Sequence, residues 1–225
     1  MFDLDGTLSE SAPGMTKCVQ YALHCIGIEE PDPENLRSFI GPPLNVEFKR
    51  RYGLSPDQIE TAVIRYREKY AAGGMYDCRM YEGTEKMLKD CVDAGLTLAV
   101  SSSKPQPFVE AILDRFGIRK YFSVIFGSAP EEEISRAEAD QKTFIVRQTL
   151  EALAGARGES ADEILSVSAM VGDRCYDMKG AIANGVHAVG VSFGYGSEEE
   201  LRSSGAEYIA ASPAQLSQIL CGCRG

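Results

Sequence analysis

The chain has 225 residues, 44% of them hydrophobic and 25% charged, with 23 Lys+Arg against 33 Asp+Glu for a formal net charge of -10. At about 150 residues per domain that length fits one core plus an inserted subdomain, and the composition excludes a disordered, collagen-like or fibrous chain. The acidic balance argues against nucleic acid or an anionic membrane as partner, so an anionic substrate needs local neutralisation, which a bound divalent cation supplies.

In chain order, Met1-Phe2-Asp3-Leu4-Asp5 reads as a strand ended at once by Gly6-Thr7; it is either very short or preceded by residues outside this numbering. From Gly14 to about Gly74 the pattern is helical, with Met15, Val19, Leu23 and Ile26 recurring on one face, as do Ile59, Val63, Tyr66 and Tyr70. Ser55 as N-cap, Pro56 at the first helical position, Gln58 closing a capping box and Gly73-Gly74 as the stop set the limits of the second helix. From Tyr81 onward short apolar runs alternate with amphipathic ones, the pattern of β-α units around a parallel sheet. Strands are predicted over 96–101, 122–126, 164–171, 186–191 and 208–210. Helices are predicted around 84–94, 107–116, 139–153, 177–184 and 198–203, with Gly95, Gly117 and Gly185 as stops. A last helix follows Ser212-Pro213, with Gln215 completing a capping box. The runs Glu131-Glu132-Glu133 and Glu198-Glu199-Glu200 read as solvated faces.

No apolar run approaches the ~20 residues that span a bilayer, which predicts a protein with no membrane partner. Seven cysteines, scattered and without a signal segment before them, predict reduced thiols in a cytoplasm. Cys221 and Cys223 have no His or Cys partners at zinc-site spacing and receive no function.

Asp3 and Asp5 lie two apart, so on a strand their side chains project to one side. Gly6-Thr7 puts them at the carboxyl end of that strand, where open α/β sheets place ligands. A turn-forming Asp-Gly pair is the simpler reading of an isolated Asp-x-Asp-Gly; a second acidic cluster favours the functional one. In Met170-Val171-Gly172-Asp173-Arg174-Cys175-Tyr176-Asp177 a strand runs through a glycine turn into a helix, with two aspartates one turn apart. Like charges so placed repel, and Mg²⁺, which takes oxygen ligands, is a reason to tolerate them. Arg174, set between the two acids, could pair with either, and reads as a structural salt bridge rather than a substrate contact. His24 and His187 read as structural, and Gly194-Tyr195-Gly196 is too short a glycine signal to read as a phosphate cradle.

Phe2-Asp3-Leu4-Asp5-Gly6-Thr7-Leu8 resembles the first motif of the haloacid dehalogenase superfamily, and Gly172-Asp173 with Asp177 resembles the fourth. Between them Leu98-Ala99-Val100, ending in Ser101-Ser102-Ser103-Lys104-Pro105, resembles the second motif, and Lys142 stands where the third supplies a lysine. Four signals in order, over the whole chain, are more specific than any one. The layout is most similar to phosphoglycolate-phosphatase-like members, with a helical cap inserted after the first motif; Phe39-Ile40-Gly41-Pro42-Pro43-Leu44 resembles their cap substrate loop. The resemblance implies an α/β fold, a Rossmann-like parallel-sheet core over 1–11 and 81–225 with an all-helical cap domain over 12–80.

It implies chemistry for each position as well. Asp3 would be the nucleophile that forms an aspartyl-phosphate, and Asp5 the general acid and then base. Asp5 also favours phosphoryl transfer over dehalogenation, whose members lack the second aspartate. Mg²⁺ would bind Asp3, the Asp5 carbonyl and Asp173, with Asp177 binding through water or orienting its neighbours. Lys142 and a serine would hold the phosphoryl oxygens, with Lys104 as the fallback lysine. Ser102, by its distance to Lys104-Pro105, best resembles the Thr-x-Lys-Pro pattern of these phosphatases, leaving Ser101 and Ser103 as neighbours in register. Gly6, Thr7, Ser103, Lys104, Gly41 and Pro42 would contact substrate, a small phosphorylated metabolite. Nucleotides, pyrophosphate, a β-phosphoglucomutase-like mutase, a phosphonatase with Lys17 or Lys49, and a phosphoryl-accepting signalling domain remain as alternatives.

Overall fold

The computed structural model describes residues 1–129 and 138–222, so Glu131-Glu132-Glu133 and Cys223 lie outside the described residues. The elements in chain order are β1 (Ser9–Glu10), α1 (Ala12–Cys25), α2 (Leu44–Tyr52), α3 (Pro56–Ala71), β2 (Arg79–Met80), α4 (Thr84–Asp93), β3 (Leu98–Pro105), α5 (Gln106–Phe116) and β4 (Phe122–Ser128). There follow α6 (Glu138–Arg157), α7 (Ala161–Ile164), β5 (Ala169–Gly172), α8 (Cys175–Ala183), β6 (His187–Val191), α9 (Glu198–Ser203), β7 (Tyr208–Ala210) and α10 (Pro213–Gly222). The chain divides into two compact units, Met1–Ser9 with Met80–Gly225, and Glu10–Arg79.

The first unit is α/β. Phe2 bridges Val100 of β3 on one side and Val171 of β5 on the other, both in parallel. With β3 paired to β4, β5 to β6 and β6 to β7, all parallel, the order is β4, β3, the Phe2 segment, β5, β6, β7. Leu98, Ala99, Val100, Met170 and Val171 are buried, as strands covered on both faces require. Val146 and Leu150 of α6 and Met178 and Ala181 of α8 join Met170 and Ala188 in one apolar cluster. α5 stops where the sequence predicts, at Gly117, whose φ of 68° is left-handed.

Three expectations are corrected here. The 164–171 segment is not one strand. Ser160 and Glu163 form a capping box that starts α7, a 3₁₀ turn covers Leu165–Val167, and only Ala169–Gly172 is extended. Apolar periodicity over so short a run cannot separate the two states; the cap decides. Second, α8 begins at Cys175, so Asp173 precedes the helix rather than lying one turn back on it. Third, Gln215 accepts from the Ala211 N–H at 2.8 Å while Ser212 Oγ caps the Gln215 N–H at 3.2 Å, so the reciprocal bond falls one residue early.

The second unit is helical. Ser55 and Gln58 make the predicted capping box at the start of α3. Val19 and Leu23 of α1, and Tyr66 and Tyr70 of α3, are buried. A 3₁₀ segment, Pro33–Phe39, brings Phe39 edge-on to Phe48 at 4.9 Å. Among the described residues no helix is long and apolar enough to cross a membrane.

Candidate active site

Asp3 is fixed by the backbone that flanks it. The Phe2 N–H donates to the Ala99 carbonyl, the Asp3 N–H to the Val171 carbonyl at 2.9 Å, and the Ser101 N–H to the Phe2 carbonyl at 2.8 Å. The chain then leaves the sheet, and Gly6, at φ 82°, turns it back so that its N–H meets the Ser9 carbonyl at 2.8 Å. Asp3 and Asp5 therefore stand where the central segment ends, beside the carboxyl ends of β3 and β5.

Each of these carboxylates meets a lysine. Lys142 of α6 donates to Asp3 Oδ1 at 2.8 Å and to the Ser101 carbonyl at 2.8 Å, and its Nζ lies 2.7 Å from Asp177 Oδ1. Lys104 Nζ lies 2.8 Å from Asp5 Oδ2. Lys142 and the fallback Lys104 thus both meet acids of this segment, Lys142 at Asp3 and Lys104 at Asp5. Burial pushes the Asp3 carboxyl up to about 6; the Lys142 ammonium opposes that, and the Asp177 and Asp5 carboxylates add to it. Burial works against the Lys142 charge, yet Asp177 and Asp3 outweigh it and the ammonium is held above its ordinary range.

Asp173 is fully buried just past the end of β5. Its Oδ2 accepts the Tyr195 backbone N–H at 2.8 Å, whereas its Oδ1 is buried with no hydrogen-bond partner among the described residues. Burial first, and the Asp177 and Asp3 carboxylates after it, raise its carboxyl well above the usual range. Asp3, Asp173 and Asp177 each offer an oxygen, all within 4.8 Å of one another. A dry, unpartnered carboxylate oxygen is costly. Three carboxylates this close, one with an unpartnered oxygen, suit a hard divalent cation, so the residues present fit Mg²⁺.

The three serines separate by partner. Ser101 is fully buried, and its Oγ accepts from Thr149 Oγ1 of α6 at 3.1 Å. Ser102 is buried as well, and its Oγ accepts the Lys104 N–H at 3.3 Å, which leaves it an O–H to give. Ser103 is half-buried and its carbonyl accepts from Ser128 Oγ at 2.8 Å. Thr7 is buried, its Oγ1 without a hydrogen-bond partner among the described residues. Gly41, exposed at φ 102°, and Pro42, buried, belong to the helical unit; their substrate role rests on the resemblance alone.

Two features escaped the sequence. The Gly194-Tyr195-Gly196 turn lies against Asp173, and its one local signal was a Gly-x-Gly after β6. Glu200, read as part of a solvated face, is half-buried and accepts Arg174 Nε and the Cys175 N–H, each at 2.9 Å. The Arg174 guanidinium thus makes a structural salt bridge, but with Glu200 rather than with a site acid, while its backbone N–H donates to Asp177 Oδ2 at 3.1 Å.

The family model of the haloacid dehalogenase-like hydrolases matches residues 1–191. The chain belongs to that family. This hydrolase is 38% identical over 220 residues to a 5'-nucleotidase of Pseudomonas aeruginosa, covering 98% of this chain and 94% of the relative. The crystal structure of a predicted phosphatase from Clostridium acetobutylicum shares its fold at a TM-score of 0.86 and 36% identity, covering 98% and 96% of the two chains. The tyrosine-protein kinase PtkA of Mycobacterium tuberculosis is 34% identical over 206 residues, which cover 87% of this chain and 62% of PtkA. With a nucleotidase and a phosphatase among its relatives, the enzyme stands with the phosphoric monoester hydrolases of the family.

Proposed function

We propose that this hydrolase is a Mg²⁺-dependent phosphatase that releases phosphate from a small phosphomonoester, phosphoglycolate-like in kind, through an aspartyl-phosphate on Asp3. The observation that supports it most is the grouping of Asp3, Asp173 and Asp177, with Lys142 on Asp3 and Asp177 and with Asp173 Oδ1 buried and unpartnered among the described residues. An Asp3 oxygen attacks phosphorus and the bond to the leaving alcohol breaks, with Asp5 giving that oxygen its proton. Asp5 then takes a proton from water as the water attacks the same phosphorus, which frees phosphate and restores Asp3. Lys142 orients the Asp3 carboxylate and, with the Ser102 hydroxyl, bears the charge on the phosphoryl oxygens. Lys104 holds the Asp5 carboxyl in place, and Gly6, Thr7 and Ser103 would contact the substrate. Asp3, the Asp5 carbonyl and Asp173 would hold Mg²⁺, with Asp177 binding through water or orienting its neighbours. Bound there, the cation supplies the positive charge that lets an anionic carboxylate approach an anionic phosphate. Action in the cytoplasm on a soluble metabolite is part of this reading.

The relative named a 5'-nucleotidase favours a second substrate class, nucleoside 5'-monophosphates. Phosphate release from phosphoglycolate, sugar phosphates and nucleotides, with Mg²⁺ and with EDTA and with Asp3→Asn as blank, tests both. Metal-dependent release lost in the variant supports the phosphatase, and the preferred member names the substrate. Transfer of the phosphoryl group to a hydroxyl acceptor without release contradicts it.

A further inference from the structure

We propose that the Gly194-Tyr195-Gly196 turn is a positioning element that aims one oxygen of Asp173 at the divalent cation, an inference that rests on the Mg²⁺ reading of that site. Three glycines close on three parts of Asp173. A Cβ on Gly6 would lie 2.1 Å from Asp173 Oδ2, one on Gly194 would lie 2.4 Å from Asp173 Cβ and 2.3 Å from the Gly6 carbonyl, and one on Gly196 would lie 2.0 Å from the Asp173 carbonyl oxygen. Real Cβ atoms do not come this near, so the backbone must be bare on all three sides of the residue. The Tyr195 N–H, presented between the two turn glycines, takes Oδ2 at 2.8 Å. Oδ1 is left buried and without a partner among the described residues. A carboxylate with one oxygen fastened and backbone close on three sides presents the other oxygen in one direction.

The turn is in turn tied down at both ends. Phe193, before it, packs edge-on against Tyr81 at 5.1 Å. After it, Ser197 caps α9, and Glu200 of that helix accepts Arg174 Nε and the Cys175 N–H, which directly follow Asp173. The turn and the Asp173 segment are thus held as one piece, a stronger arrangement than a loop resting on a side chain.

The test titrates Mg²⁺ calorimetrically into the wild type, Gly194→Ala and Gly155→Ala, the last adding a methyl group at an exposed helical position with nothing within 4 Å. Unfolding temperatures are taken in EDTA alongside. Wild type and Gly155→Ala are expected to bind alike, and Gly194→Ala about 10–100-fold more weakly while still folding without metal. Equal affinity in Gly194→Ala overturns the positioning role and leaves the Mg²⁺ site standing; no binding by the wild type overturns both. Whether or not that variant folds, the wild-type Tyr195 amide gives an independent readout in ¹⁵N–¹H spectra. It is expected to be protected from exchange and to shift with Mg²⁺ at the calorimetric midpoint. An unprotected or unmoved amide in a protein that binds Mg²⁺ overturns the proposal.

Discussion

Asp3 and Asp173 lie in one acidic cluster, are both pushed up by burial, and are balanced in opposite ways. Asp3 meets an ammonium at 2.8 Å, and its neighbour Asp5 meets another at 2.8 Å, from lysines that are themselves nearly covered. Asp173 meets a backbone N–H through one oxygen and, among the described residues, no hydrogen-bond donor through the other. The chain thus supplies its own counter-charge at Asp3 and Asp5. At Asp173 it supplies, among the described residues, a close-fitting backbone and one N–H dipole instead. The division of labour is legible only in the partners, since the residue type is the same on both sides.

Asp3→Asn breaks the comparison at its most demanding point. With the nucleophile gone, kcat is expected to fall about ten-thousand-fold or more, as for other covalent catalysts; activity within tenfold of wild type removes Asp3 from the chemistry. Lys142→Met takes away the counter-charge instead. It leaves half-buried Asp3 beside buried Asp177 without that ammonium, so kcat should fall about 100–1,000-fold and unfolding in EDTA should become easier by about 3–5 kcal/mol. A variant as stable as wild type would mean that Lys142 does not balance the cluster.

The pH dependence sharpens the same point. Because the folded Asp3 carboxyl titrates at about 6 rather than 3.8, the folded state holds a proton that the unfolded chain releases. Stability owed to that group is therefore lost as pH rises from about 4 to above 6, in metal-free protein. Denaturant unfolding in EDTA at pH 5 and 7, read as wild type minus Asp3→Asn, should show the difference shrinking at the higher pH; a difference that grows with pH reverses the sign and the account. The smallest effect belongs to the serines. Ser102→Ala should lower kcat about tenfold or more through one lost hydrogen bond to the phosphoryl group, while Ser101→Ala, which loses only the Thr149 bond, should cost about 1 kcal/mol of stability. The reverse outcome moves the phosphate serine one residue back.

Residues in local patterns are the readable ones. Asp3-x-Asp5 before a glycine turn, and Asp173 with Asp177 after a strand, are local patterns, and so is the Ser55 and Gln58 cap on α3. Residues whose role depends on where the fold returns were not readable. Gly194, Tyr195 and Gly196 matter because β6 runs beside β5 and delivers the turn that follows it onto Asp173, and no spacing in the sequence records that adjacency. Glu200 looked like one acid in a charged run because its partner, Arg174, is 26 residues away. The 164–171 segment shows the opposite case: the Ser160 and Glu163 cap is a local signal, and it outweighs an apolar run that fits helix and strand alike.

The most direct test of the account is to acid-quench the enzyme during turnover with Mg²⁺ and its preferred phosphomonoester, and to map any covalent phosphoryl group by peptide mass spectrometry. The account predicts one phosphoryl group, on the peptide carrying Asp3, absent with EDTA and absent in Asp3→Asn. A phosphoryl group mapped to another residue, or undiminished turnover in Asp3→Asn, would contradict it.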